Sequence, residues 1–224
     1  MLTDGRWTGP ILDQHIHLDR SNRFRDAVSE FSRVGGTGIM LVHKPGFSSG
    51  LPTDLDGYRA AYSETMSMAE EVRASEVNVG VVLGPHPVAW EHQIKPLGLA
   101  RATELHLEAV GLALDHIEAG VAGCLGEAGR PHDSVSGVKW EAANDILREV
   151  MAMAAAAGTS VQLHVEDNGA ATCRELAALC DEAGRSRDRA MRHHAPADDS
   201  PEVTPVLAGK AAQGRTNVPT TQHP

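Results

Sequence analysis

Pro10-Ile-Leu-Asp-Gln-His-Ile-His-Leu18 is an apolar run closed by Gly9-Pro10 on one side and by the polar stretch Asp19-Arg-Ser-Asn22 on the other. It is too short for an ordinary helix and reads as a buried strand. Alternate side chains of a strand share a face, so His15 and His17 point one way and Ile16 the other. Two imidazoles on one face, at the carboxyl end of a first strand, are the beginning of a metal site. Such a site needs further ligands at about 2.0–2.2 Å from the ion, and they must come from later strands.

The rest of the chain alternates strand and helix patterns. Arg23–Val34 carries Phe24, Ala27, Val28 and Phe31 at helical spacing and stops at Gly35-Gly36. Gly38–Lys44 is a continuous apolar run of the kind buried on both faces in parallel sheets. A Pro-, Gly- and Ser-rich loop leads to a helix over Asp56–Ala74, a third strand at Val77–Leu83 and the turn Gly84-Pro-His-Pro87. Helices are predicted over Leu97–Ala119, Val138–Ala157 and Ala170–Ala183, and strands at Val121–Glu127, Ser160–Val165 and Arg189–His194. Strands alternating with helices predict an α/β fold with a parallel sheet. No Gly-x-Gly-x-x-Gly follows the first strand, and polar residues mark nearly every strand's carboxyl end, which favours a TIM (β/α)8-type barrel over an open sheet. The barrel is expected to be incomplete: about six units are clear, with a seventh strand at Val203–Ala208. Residues 1–196 form the expected barrel, and 197–224 read as an irregular tail without apolar periodicity.

The chain of 224 residues has a formal net charge of -10 and no Lys/Arg run, so it lacks the electrostatic footprint of a tight non-specific nucleic-acid binder. Cys124, Cys173 and Cys180 are far apart and set in apolar segments, which fits packed thiols in a reducing compartment. The amino terminus lacks the apolar core of a signal peptide, and no apolar stretch reaches membrane-spanning length. A soluble cytoplasmic protein with no membrane partner is expected.

Four strand ends carry metal-compatible side chains: His15 and His17, Glu127, His164, and His193 with His194. A parallel barrel brings such residues together at its mouth. Imidazoles with a carboxylate suit zinc or another first-row divalent ion, and a bridging carboxylate suits a pair. Each residue alone has a structural explanation: His164 as a core histidine, His193-His194 as a surface pair. Glu127, after Val121-Ala-Gly-Cys-Leu-Gly126, is costly to bury unless paired or bound to a cation. Lys44, Arg130 and His132 are candidates for holding an anionic substrate at the mouth, against the alternatives of a solvated Lys44 and an Arg130 paired internally.

Together, His15-Ile-His17, Gly84-Pro-His-Pro87, Gly126-Glu-Ala-Gly-Arg-Pro-His132, Gln162-Leu-His164 and Arg192-His-His-Ala-Pro196 follow the order found in TatD-like metal-dependent hydrolases. The chain resembles that family over about residues 10–210, and most of all its archaeal branch within the amidohydrolase (urease) superfamily. The resemblance implies a TIM barrel that hydrolyses phosphodiester or related ester bonds with one or two divalent ions (Zn, Mn or Mg). It implies His15 and His17 on the first ion, Glu127 as bridging ligand and catalytic carboxylate, and His164 and His193 on the second, with His194 as the other choice for His193. His86 would line the mouth beside Arg130 and His132 as a substrate contact. The family's Asp at the end of the eighth strand has no counterpart after His194, so a truncated or frame-shifted carboxyl terminus, impaired turnover and self-association through open sheet edges are expected. Two other readings stand beside the phosphodiesterase: cleavage of an amide, lactone or cyclic imide on the same scaffold, and a non-catalytic metal-binding remnant.

Overall fold

The structure, a computed structural model, describes residues 2–193. His194, the expected strand at Val203–Ala208 and the carboxyl-terminal tail lie outside the described residues. A short antiparallel hairpin, β1 (Leu2–Thr3) and β2 (Arg6–Trp7), precedes the sheet. Six parallel strands follow: β3 (Leu12–Ile16), β4 (Gly38–Val42), β5 (Asn78–Leu83), β6 (Cys124–Gly129), β7 (Ser160–His164) and β8 (Ala190–Arg192). They lie side by side in chain order, as in a barrel rather than a doubly wound sheet. Helices α1 (Phe24–Arg33), α2 (Leu55–Arg73), α3 (Pro87–Leu97), α4 (Leu99–Glu118), α5 (Gly137–Ala156) and α6 (Ala170–Glu182) fill the connections. None of the described helices is long and apolar enough to cross a membrane.

Strand alternation sorts the core. Leu41, Val81, Leu83, Leu125, Val161 and Leu163 belong to the main core with residues of α2, α4, α5 and α6. Val42, Val82 and Cys124 form a smaller inner cluster with Met40 and Met191. The sheet is curled. Gln162 Nε2 on β7 donates to the Gln14 carbonyl on β3 at 2.9 Å, whereas strands four places apart in a flat sheet would lie about 19 Å apart. Among the described residues β3 and β8 each have a single strand neighbour, so the part-barrel has two open edges.

Two elements differ from the sequence expectation for identifiable reasons. The β6 strand begins at Cys124 rather than Val121, because the amides of Val121 and Ala122 both bond the His116 carbonyl and close off α4. The segment after Gly84 holds a separate helix, α3. Pro87 sits at its first turn, where no amide proton is needed, and His86 caps it by accepting from the Val88 amide at 3.1 Å. Gly98, at φ 79, then divides α3 from α4. The three cysteines are buried and unbridged.

Candidate metal centre

The carboxylate at the middle of the cluster is placed by two glycines. The register of β6 against β7 shifts between Leu125 and Ala128, which turns Glu127 to the inner face. Gly126 and Gly129 have φ of 153 and 148, outside the usual range of other residues. A Cβ at 129 would fall 1.9 Å from the His164 carbonyl oxygen, and one at 126 would fall 2.9 Å from the Gln162 Cβ. The sequence Gly126-Glu-Ala-Gly129 is therefore what lets β6 press against the strand that carries His164.

Glu127 is 2% exposed and is surrounded by imidazoles. Its Oε2 lies 3.0 Å from His17 Nε2 and 3.6 Å from both His15 Nε2 and His86 Nε2. Its Oε1 lies 2.6 Å from His193 Nε2 and 3.0 Å from His164 Nδ1. Burial pushes this carboxyl up, but the imidazoles of His15, His164, His17 and His193 outweigh burial and hold it far below the usual carboxylate range. Among the described residues, Oε2 is nevertheless buried without a hydrogen-bond partner. A buried carboxylate oxygen with no hydrogen-bond partner among the described residues, beside the Nε2 atoms of His15 and His17, is the environment a cation completes.

Tautomers separate ligands from bystanders. His15 Nδ1 faces the Gln162 amide oxygen at 3.0 Å, and His17 Nδ1 faces the Val42 carbonyl at 3.1 Å. An oxygen acceptor fixes the proton on Nδ1 and turns the Nε2 lone pair toward the centre, where a metal could be held. These Nε2 atoms are 3.2 Å apart. With the Glu127 Oε2 distances they form a triangle of edges 3.0, 3.2 and 3.6 Å. Ligands about 2.1 Å from a tetrahedral ion stand about 3.4 Å apart, so this set fits an ion with little movement. His86 is the opposite case. Its Nδ1 accepts from Val88, so the neutral ring carries its proton on Nε2 and presents a donor to the centre.

A second set shares the carboxylate. His164 Nδ1, His193 Nε2 and Glu127 Oε1 form a tighter triangle of 2.6, 2.8 and 3.0 Å. His164 Nε2 is 2.6 Å from Nδ1 of His132, which stands half exposed at the mouth. The rings of His15 and His193 stack at 4.4 Å, joining the two sets. Burial lowers His193 to about 4 and His86 to about 3, so both are neutral at pH 7. His15 is also lowered by burial, but the Glu127 carboxylate and Gln162 leave it raised overall.

The model of the TatD related DNase family matches residues 12–206, a span that contains every ligand position above. The chain belongs to the TatD-related DNase family. An uncharacterized protein of Methanocaldococcus jannaschii is 26% identical over 193 residues, covering 83% of this chain and 65% of that relative. The chain thus spans 65% of the length of the curated relative it matches. The crystal structure of a TatD-like protein from Archaeoglobus fulgidus superposes with a TM-score of 0.54 at 15% identity, covering 82% of this chain and 68% of the other. That likeness is one of fold, and it identifies the six strands here as part of a TatD-type barrel.

Within this TatD-related site the structure gathers His15, His17, His86, Glu127, His132, His164 and His193. Arg130, expected at the mouth, is elsewhere. It is 2% exposed, its Nε donates to Glu166 at 2.7 Å, its other nitrogens reach Asn144 and Glu175, and the guanidinium lies over the Trp140 ring. Strand parity explains this, since three steps from the inward Glu127 lead to the outer face. Lys44 pairs with Asp19. His43, which the sequence reading passed over, sits at the carboxyl end of β4 with Nδ1 2.9 Å from Thr65 Oγ1.

Proposed function

We propose that this chain hydrolyses phosphodiester or related ester bonds, using one or two divalent ions held by His15, His17, Glu127, His164 and His193. The observation that carries this reading is the pair of candidate ligand triangles sharing one buried carboxylate whose Oε2 lacks a hydrogen-bond partner among the described residues. When bound, such ions supply an acidified water and Lewis-acid polarisation of the scissile ester. Glu127 keeps both triangles at a fixed separation and neutralises part of the ionic charge. Gln162 and the Val42 carbonyl orient His15 and His17 with their Nε2 lone pairs toward the centre. His86 presents an Nε2–H donor from the α3 cap, placed to bond a substrate oxygen beside the carboxylate. His132, half exposed, is the group an incoming substrate meets at the mouth.

The test is hydrolysis of bis(4-nitrophenyl) phosphate by protein purified without chelator, alongside elemental analysis. Turnover that disappears with EDTA and returns with Mn²⁺ or Zn²⁺ supports the proposal. Well-folded protein that holds no divalent ion and gains no activity on adding one would sink it. Turnover of a lactone or amide in place of the phosphodiester would keep the metal centre and replace the substrate class.

A further inference from the structure

A cavity of about 510 Å³ opens beside the metal centre, between the loop after β3, the loop after β4 and helix α2. Its size is that of a small-molecule site. Its walls include Leu18, which follows His17, and His43, which follows the Val42 carbonyl that holds the His17 ring. A larger cleft of about 690 Å³ between α1 and α2 takes no residue from the end of a strand. The cavity beside the centre is therefore joined to the chemistry, and the larger cleft is not.

His43 is 6% exposed, and its chemistry in this wall is fixed. The Thr65 hydroxyl donates to the Ala61 carbonyl at 3.2 Å, so its oxygen can only accept from His43 Nδ1, 2.9 Å away. The proton is thus on Nδ1, and Nε2 is a lone-pair acceptor with no partner among the described residues. Burial lowers this imidazole to about 4, which keeps it neutral. An acceptor in a cavity wall discriminates in favour of a ligand that offers an N–H or O–H, because any other displaces water from it without replacing the bond. Lys44 and Arg20 stand at the same cavity, each already sharing its charge with carboxylates. Asp19 and Glu64 line the cavity too, so its wall is charge-balanced and suits the neutral polar part of a ligand. With a net charge of -10 and no basic tract, nothing tracks a polymer of phosphates.

We propose that this cavity holds the organic part of a monomeric phosphate ester, a nucleotide or a sugar phosphate, and that His43 selects it by accepting a hydrogen bond from a hydroxyl or N–H. This deepens the hydrolase reading and rests on it. Calorimetry on the full chain as purified would compare thymidine 5′-monophosphate, glucose 6-phosphate, inorganic phosphate and a single-stranded DNA 20-mer. One ester or both should bind at least about tenfold tighter than inorganic phosphate, and the tighter of the two names the source. His43→Phe should abolish that excess. Thr65→Val, which keeps the shape and releases the tautomer, should cut it about threefold or more, and so tests the idea should His43→Phe not fold. Esters binding no better than inorganic phosphate, an excess that survives in the folded variants, or a 20-mer binding tighter than either ester would each overturn the proposal. Failure of the hydrolase reading is separately visible, as intact His43-dependent binding without metal-dependent turnover of the aryl phosphate.

Discussion

His15 and His17 are each held from behind by an oxygen, whereas His164 has other imidazoles against both of its nitrogens. The first triangle is already spaced as ligands of one ion are spaced, while the second is compressed to 2.6–3.0 Å. Close approach of ring nitrogens to each other and to one carboxylate oxygen needs shared protons, so the second set must open to take an ion. Preorganisation lowers the cost of binding, because less has to move or give up a proton. Of the two proposed sites, the His15–His17 side is therefore expected to bind more tightly and the His164–His193 side to empty more readily.

Removing the shared carboxylate breaks both sides at once. Glu127→Gln should lose metal from both sites and reduce turnover by at least about 10³-fold, with Glu127→Asp intermediate. Metal content after gel filtration checks this, and a variant with full stoichiometry would refute the bridging role. A pair of double variants separates the halves. His15→Ala with His17→Ala should remove the tightly held ion, while His164→Ala with His193→Ala should spare it and lose the weaker one. Titration against a competing zinc chelator distinguishes them, and equal affinities would erase the contrast. Gln162→Leu tests the support alone, since it leaves every ligand in place. It should weaken the first site about 10–100-fold and the second far less.

The smallest effect concerns a buried histidine outside the cluster. His106 on α4 is 1% exposed, and neither of its ring nitrogens has a hydrogen-bond partner among the described residues. His106→Leu should raise stability by about 1–3 kcal/mol at neutral pH, measured by urea unfolding. Burial lowers this imidazole from 6.5 to about 3. Between those values the unfolded chain binds the extra proton, so His106 destabilises the fold least above pH 6.5 and progressively more as the pH falls toward 3. The Leu variant should show a shallower acid limb, and an unchanged slope would contradict the linkage.

Part of this was legible in the sequence because side chains alternate along a strand wherever no register shift intervenes. His15 and His17 read as one face, and Glu127 as a buried acid in need of a cation, from spacing and cost alone. Arg130 lies on the outer face, against Trp140 and Glu166, because the register shift before Glu127 resets the alternation, and the sequence alone does not show that shift. His43 was not legible. It closes an apolar strand, and its tautomer depends on Thr65, 22 residues away on α2. Helix α3 was obscured by its prolines, which suggest a loop until Pro87 is recognised as a first-turn residue. The expectations for His194 and the later segment fall outside the described residues.

The bond between His15 and Gln162 joins residues 147 apart in the chain. Closing so long a loop is entropically costly and is repaid only when the intervening strands are already paired. The centre is consequently among the last parts of the molecule to exist. A nascent chain has no such site until β7 has left the ribosome, and before then it offers only scattered histidines to any ion it meets. In refolding followed by circular dichroism and a zinc-sensitive dye, helix signal should return first and zinc uptake should lag behind it.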